Sequence, residues 1–464
     1  MEVNTQLTQP ITGFPEWLPA ERLLEVRMID TIREVYERYG FTPIETPAVE
    51  KNESLQSKGE INKQIYSLYR PNVPAEVDKE TGLSLHFDLT VPLARYVAQH
   101  YGKLVFPFRR YQIQKVWRGE RAQKGRFREF YQCDIDIIGE GSLDLLADAE
   151  MPLIIYEVFK ALDIGQFVIR ISNRKILQGL LHHWKVNGEQ AEETLRAIDR
   201  LPKLKGGWQE LQAWLTDELG LEGGICTALH QLLMEEETHA SPLEKLRRMN
   251  VPDEIFQTGI AELQTVLESA ESLNLPQGIL ETDLSITRGL DYYTGTVYET
   301  FLVGYEKVLG SICSGGRYDN LASHFIDRTL PGVGISIGLS RLFSTLLERG
   351  LLTPAAHTPA QVMVTIPDRR YLQESFQVAG SLREAGFKVE LFAQDSKHDR
   401  QLKAAVRKGI PFAVIPWPDR MEKEQSVEVR NLLDGHREVV PLERLAGFLH
   451  NIMGQGCSRP IHQK

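Results

Sequence analysis

The sequence is poor in the features that most directly announce a chemistry. Its 464 residues hold four cysteines, Cys133, Cys226, Cys313 and Cys457, far apart and with no CxxC pair. Neither a thiolate zinc site nor a disulfide framework is signalled, and reduced structural thiols are expected. No apolar run reaches the ~18 residues of a membrane helix, and the opening "MEVNTQLTQPITGFPEWLP" has no basic stretch leading into an apolar core. A cytoplasmic protein with no membrane partner is expected. GxxxxGK[ST] is missing, and "PGVGISIG" spaces its glycines wrongly for GxGxxG, which argues against a P-loop enzyme or a dehydrogenase. His182 and His183 are neighbours on a helical pattern and diverge, so no protein metal site is expected. A net charge of -10 argues against bulk electrostatic coating of nucleic acid, although the stretch from Gln361 onward is mildly basic, with 16 Lys+Arg against 13 Asp+Glu.

What is present is a folded, multidomain chain: 42% apolar and 25% charged residues, and a length that suits two to four domains of ~100 to 200 residues. Apolar residues at Met28, Ile29, Ile32, Val35, Tyr36 and Tyr39 predict a helix over Ala20 to Tyr39, ended by Gly40. A Pro-punctuated extended segment with Pro47 follows. Val105 to Gly139 reads as strand, polar tip "GERAQKG" and strand, a hairpin. Residues 1–186 thus form the first part of one domain, 187–275 a Leu-, Glu- and Lys-rich helical insertion, and 276–350 the second part. In "PGVGISIGLSRLFSTLLERG" a strand runs directly into a helix. "LLTPAAHTPAQ" supplies a linker over 351–360. From 361 to 464 the pattern alternates β, α, β, α, β, which predicts a small α/β domain with a parallel sheet.

The second hairpin strand, "RFREFYQCDIDIIG", is the most informative. One parity carries Arg126, Arg128, Phe130, Gln132, Asp134 and Asp136; apart from Glu129, the other is Phe127, Tyr131, Cys133, Ile135 and Ile137. A solvated outer sheet face would explain that pattern. So would a site: arginines give bidentate donors for phosphate, the aromatic stacks a base, and carboxylates hold an ammonium. "TRGLDYYTGTVYE" sets Arg288 beside Asp291, Tyr292 and Tyr293, and "CSGGRYD" offers Gly315 and Gly316 either for close backbone approach to a ligand or for a simple turn.

Arg118 in "VWRGE" and Arg341 in "GISIGLSR" resemble the arginines of motifs 2 and 3 of class II aminoacyl-tRNA synthetases, and the Ala20 to Tyr39 helix followed by a strand containing Pro47 resembles motif 1. Within that class, "RGLDYYTGTVYE" and "SGGRYD" are similar to the two signature peptides of the histidyl-tRNA synthetase family, and the resemblance runs from about Phe14 to His450. It implies an α+β fold: an antiparallel-sheet class II catalytic domain with a helical insertion, then a small α/β anticodon-binding domain. The implied activity is activation of L-histidine with ATP, accompanied by Mg2+, to histidyl-adenylate, then transfer to the 3' end of histidine tRNA by a homodimer.

The resemblance also implies roles. Arg118 would bind the α-phosphate, Glu120 the adenine side, Phe130 would stack on adenine, Arg126 would reach the distal phosphates and Arg341 the γ-phosphate. Asp88, Thr90 and Gln132 match positions that take the histidine ammonium; Asp136, Tyr293 and Tyr318 match those around the imidazole. Tyr292 is counted with the histidine-binding residues without a contact of its own, and Asp291 has no role. Arg288 would contact both the α-phosphate and the histidine carboxylate, fixed charge where two anions meet. Family members often carry glutamate where this chain has Asp88 and Asp136. The basic stretch Lys397 to Lys408 is a candidate anticodon surface, and "YRPNVPAEVDKETGLSL" has no functional account. The rival readings are a non-catalytic paralogue, such as a regulatory subunit of ATP phosphoribosyltransferase or a tRNA sensor, and a class II synthetase for another amino acid.

Overall fold

The computed structural model describes residues 8–55, 64–70, 72–74, 82–122, 125–234, 241–287, 293–392 and 396–454. The chain separates into two compact units, Met1–Pro15 with Ile29–Leu346, and Glu16–Met28 with Leu347–Lys464.

In chain order the strands of the first unit are β1 (Thr42–Pro43), β2 (Val49–Lys51), β3 (Leu83–Leu85), β4 (Phe108–Trp117), β5 (Glu129–Ile138), β6 (Phe167–Asn173), β7 (Leu280–Thr282), β8 (Thr296–Leu302), β9 (Cys313–Tyr318) and β10 (Gly332–Gly338). Eight of them form one sheet in the order β1-β4-β5-β10-β9-β8-β6-β7, and β2 pairs with β3 in a separate ribbon. From β4 to β6 every pairing is antiparallel; only the outer pairs β1–β4 and β6–β7 are parallel. Pro47 falls between β1 and β2 rather than within a strand, as suits a residue with no amide donor.

The hairpin expected from Val105 to Gly139 is β4 and β5, in register from Phe108 opposite Ile138 to Trp117 opposite Glu129. Apolar residues of the outward parity of β5 pack behind the sheet: Cys133, Ile135 and Ile137 are buried with Tyr36, whose hydroxyl donates to Cys133 O at 3.0 Å. Helix Leu146–Leu162 buries Ile154, Ile155, Val158 and Phe159. The helical stretch runs from Gly188 to Ser272 in segments, the last of which, Glu254–Ser272, is capped by Asp253 accepting from Phe256 N at 3.0 Å. That helix crosses Arg174–His183 closely: a Cβ on Gly259 would lie 2.8 Å from Ile176 N, so only glycine permits the approach.

The second unit carries β11 (Val362–Val364), β12 (Val389–Leu391), β13 (Phe412–Ile415), β14 (Ser426–Asn431) and β15 (Arg437–Pro441), ordered β12-β11-β13-β14-β15. The first three are parallel with intervening helices, as the βαβ alternation predicts; β14 and β15 add antiparallel to the edge, so the sheet is mixed rather than parallel. The connection after β13 is the short helix Pro418–Glu424, which favours antiparallel return over another parallel crossover. Its core includes Val362, Val364, Val378, Leu382, Val414, Val427, Leu445 and Leu449. Cys133, Cys226 and Cys313 are buried and form no disulfide among the described residues; Cys457 lies outside them. Among the described residues no helix is long and apolar enough to cross a membrane.

Candidate active site

The polar parity of β5 is buried, not solvated. Gln132, Asp134 and Asp136 face inward from β5, and across the register stand Gln114, Gln112 and Arg110 of β4 on one side and Gly338, Ser336 and Gly334 of β10 on the other. Buried polar groups need partners, and most here have them. Tyr318 of β9 donates its hydroxyl to Asp136 Oδ1 at 2.6 Å, and Arg110 Nη2 pairs with Asp136 Oδ2 at 2.5 Å. Gln132 Nε2 donates to Ser336 Oγ at 2.7 Å, while its Oε1 is buried with no hydrogen-bond partner among the described residues. Asp88 is buried at the entrance to helix Thr90–His100 and accepts from Val91 N at 3.1 Å; Thr90 is the first helical residue, half-buried.

Glycine keeps this floor open. A Cβ at Gly334 would sit 2.5 Å from Asp136 Cγ, one at Gly332 2.5 Å from Tyr318 Cζ, and one at Gly316 2.9 Å from Tyr293 Cδ1. Gly316 of "SGGRYD" and Gly332 and Gly334 of "PGVGISIG" therefore make room for site side chains, whereas Gly315 admits the neighbouring backbone of Gly334. Tyr293, Tyr318, Ile286 and Val297 form a small buried cluster beside Asp136. Burial, then the nearby Asp136 charge, holds the Tyr318 phenol well above its ordinary range, so it stays a donor.

Asp134 is the electrostatic outlier. Burial pushes its carboxyl up to about 7, against the pull of Arg110 and a hydrogen bond with Ser336, with Asp136 and Asp88 adding to the rise. Its Oδ1 has no hydrogen-bond partner among the described residues.

At the other end of the hairpin the charges are positive. The Arg118 guanidinium lies 4.3 Å from the Phe87 ring centre and 5.1 Å from that of Phe130, and its Nε donates to Phe87 O at 3.3 Å. Arg126, largely exposed, forms an ion pair with Glu120 at 2.6 Å. Arg341, at the start of helix Leu339–Glu348, is brought into the same field: burial and then Arg126 hold its guanidinium below its ordinary value, while Glu120 opposes. Residues from three sequence stretches thus converge at the hairpin tip, with half-buried Phe130 between this cationic end and the acidic floor.

Arg288, Asp291 and Tyr292 lie outside the described residues. The residues before and after them are fixed: Thr287 donates to Leu195 O at 2.9 Å, and Thr294 donates to Asp319 at 2.5 Å. Arg317 anchors the same region through both oxygens of buried Asp148, at 2.5 and 3.1 Å, and through Leu143 O at 3.0 Å. Among the described residues no group of three or more His, Cys, Asp or Glu side chains could hold a metal ion; His182 is instead paired with Asp253 at 2.5 Å.

Sequence reasoning singled out Asp136, Gln132 and Tyr318; the structure brings Asp136 and Tyr318 together, while Gln132 lies further along the same face of β5 and bonds Ser336. Sequence reasoning passed over Arg110 and Ser336, and took Asp134 only as one carboxylate of the polar face. The signal for Arg110 was available: Arg110, Gln112 and Gln114 alternate along "FRRYQIQKVW", the same polar parity as in β5.

Two family profiles match the chain, one described as histidyl-tRNA synthetase over residues 13–342 and one as anticodon binding domain over residues 361–452. The histidine-tRNA ligase of Clostridium tetani is 45% identical over 445 residues, 95% of this chain and 98% of that one. The crystal structure of histidyl-tRNA synthetase from Nostoc sp. PCC 7120 superposes with a TM-score of 0.87 at 41% identity, covering 97% of this chain and 100% of that chain. An ATP phosphoribosyltransferase regulatory subunit/histidyl-tRNA synthetase from Bacillus halodurans shares the fold at 23% identity and a TM-score of 0.69, over 86% of this chain and 96% of that one.

Proposed function

The chain belongs to the histidyl-tRNA synthetase family and is an aminoacyl-tRNA synthetase that attaches histidine to tRNA at the expense of ATP; we propose how its own residues divide that work. The regulatory-paralogue reading is not favoured, since relatives at 45% identity over nearly the whole chain are ligases.

The observation that carries the assignment is the buried floor with Asp136 held between Tyr318 and Arg110. A neutral imidazole has one N–H and one bare nitrogen, and a pocket built to satisfy both rejects apolar isosteres by large factors. Asp136 accepts the imidazole N–H, with Tyr318 and Tyr293 around the ring; Tyr292 stands with them by sequence. Asp88, Thr90 and Gln132 take the α-ammonium, and the unpartnered Gln132 Oε1 supports that role.

At the hairpin tip, Phe130 stacks on adenine, Arg118 binds the α-phosphate, Arg126 the distal phosphates and Arg341 the γ-phosphate. Glu120 pairs with Arg126 at 2.6 Å, and exchanging that partner for ATP would give Arg126 to phosphate and Glu120 to the adenine side. Mg2+ would accompany ATP and offset the charge of its phosphates. The histidine carboxylate attacks the α-phosphorus, pyrophosphate leaves, and Arg288 stabilises the charge that builds up there. The terminal ribose of histidine tRNA then displaces AMP. The second unit reads the anticodon, with helix His398–Lys408, carrying Arg400, Lys403, Arg407 and Lys408, as its basic surface. The enzyme works as a homodimer in the cytoplasm, its domains bounded at 186, 275, 350 and 360.

ATP-pyrophosphate exchange with a panel of amino acids, followed by charging of bulk tRNA, tests this. Exchange with histidine alone is expected; exchange with none would reject the proposal.

A further inference from the structure

We propose that Arg110 is a positioning residue that fixes which protonation state of the substrate side chain is accepted: held by Arg110, Asp136 receives a neutral imidazole and excludes an imidazolium. The inference rests on the reading of the Asp136, Tyr318 and Tyr293 pocket as the imidazole site.

Arg110 is fully buried and heads the largest fully buried side chains among the described residues. Arginine is almost never fully buried unless paired, and it does not lose its charge. Among the described residues its carboxylate ion-pair partner is Asp136, directly opposite in the β4–β5 register, at 2.5 Å in an ion pair whose angles fall outside hydrogen-bond alignment. Nε and Nη1 meet no hydrogen-bond acceptor among the described residues. Such a side chain is not there for stability: a buried ion pair is weak support for a fold, and a well-packed apolar pair serves as well.

Its effect on the pocket follows from counting charge. Asp136, Asp134 and Asp88 are three buried carboxyls on or beside one face, and a carboxylate without a counter-charge favours the charged form of any basic ring placed against it. Such a pocket would select imidazolium. Arg110 cancels Asp136, so an imidazolium would enter as an unmatched buried cation, while a neutral ring still finds an acceptor in the carboxylate. The groups facing the pair are Arg110 from β4, Asp134 on β5 itself, Tyr318 from β9 and Tyr293 next to it, with Asp88 and Tyr36 within electrostatic reach of Asp134 or Arg110. Tyr318 is a donor throughout this range. Asp134 titrates near neutrality and would move any simple pH profile, so the test compares two ligands on the same protein.

The ligands are histidine and 1,2,4-triazolylalanine, whose ring stays uncharged from pH 5.5 to 7.5. The dissociation constant of each is measured on the full chain by calorimetry, and their ratio cancels the titration of protein groups. With an imidazole pKa of about 6.5, the histidine-to-triazole ratio should rise about tenfold from pH 7.5 to pH 5.5 in the unaltered protein. In Arg110→Gln the rise should shrink to within about twofold, and Arg110→Lys should restore most of it. A flat ratio in the unaltered protein overturns the inference, and so does a full tenfold rise in Arg110→Gln. If Arg110→Gln does not fold, the unaltered protein and Arg110→Lys decide, a flat ratio in either being fatal. Failure of both ligands to bind would instead reject the pocket itself, and the inference with it.

Discussion

Replacing Asp134 with asparagine should stabilise the protein, and increasingly so as pH rises. In the unfolded chain this carboxyl titrates near its ordinary value of 3.8, whereas burial keeps it protonated in the folded protein up to about 7. Between those values the folded state holds a proton that the unfolded state has released, so stability falls with rising pH by about 1.4 kcal/mol per unit. The penalty is nearly absent at pH 4, on the order of 2 kcal/mol at pH 5 and on the order of 4 kcal/mol at pH 8, where it levels off. Asparagine matches the shape, can still bond Ser336 and carries no charge to desolvate. Asp134→Asn should therefore gain about 2 to 3 kcal/mol more at pH 8 than at pH 5, relative to the unaltered protein. Urea unfolding at the two pH values, analysed for the transition of the larger unit at constant slope, measures the difference. An equal gain at both pH values would show that Asp134 titrates normally, and a loss at pH 8 would show that its ionised form is held by contacts absent here.

Gly334→Ala would drive a methyl against Asp136, displacing it from Tyr318 and Arg110; the histidine KM should rise at least about tenfold with the ATP KM little changed, and a destabilisation of about 1 to 3 kcal/mol should accompany it. An unaltered histidine KM would remove Asp136 from the imidazole site. Asp148→Ala leaves buried Arg317 with the longer, 3.7 Å pair to Asp319 in place of its short contacts and should lower stability by about 3 to 5 kcal/mol in urea melts, whereas Asp148→Leu with Arg317→Met should recover much of it; equal losses in both would mean that the pair itself stabilises. Arg288→Ala should slow single-turnover adenylate formation by about 100-fold or more. A change in histidine affinity with the rate intact would assign Arg288 to binding alone.

How far the sequence reveals this site depends on whether a property is local. The parity of β5, the hairpin and the strand that runs straight into the Arg341 helix are written in consecutive residues, and each has its counterpart in the structure. Register between distant strands is not local. Gln132 and Ser336 bond across 204 residues of chain, and nothing in either segment alone says that β10 will lie beside β5. That pairing converts a polar face, equally suited to solvent, into a buried one, and the burial raises the Asp134 carboxyl from its ordinary range to about 7. Arg110 illustrates the same limit. Its place in an alternating strand is legible, but its partner depends on the hairpin register.

The glycines of β9 and β10 mean that part of this pocket is specified by atoms that are missing. Gly334, Gly332 and Gly316 would touch no substrate in the proposed arrangement, yet each guards the volume occupied by a side chain that would. The reach of the acid at position 136 and the bareness of position 334 are therefore one variable divided between two strands. An engineer who wished this enzyme to charge tRNA with a differently shaped amino acid should vary them as a couple, because libraries that randomise only contact residues would search a space whose walls they never move.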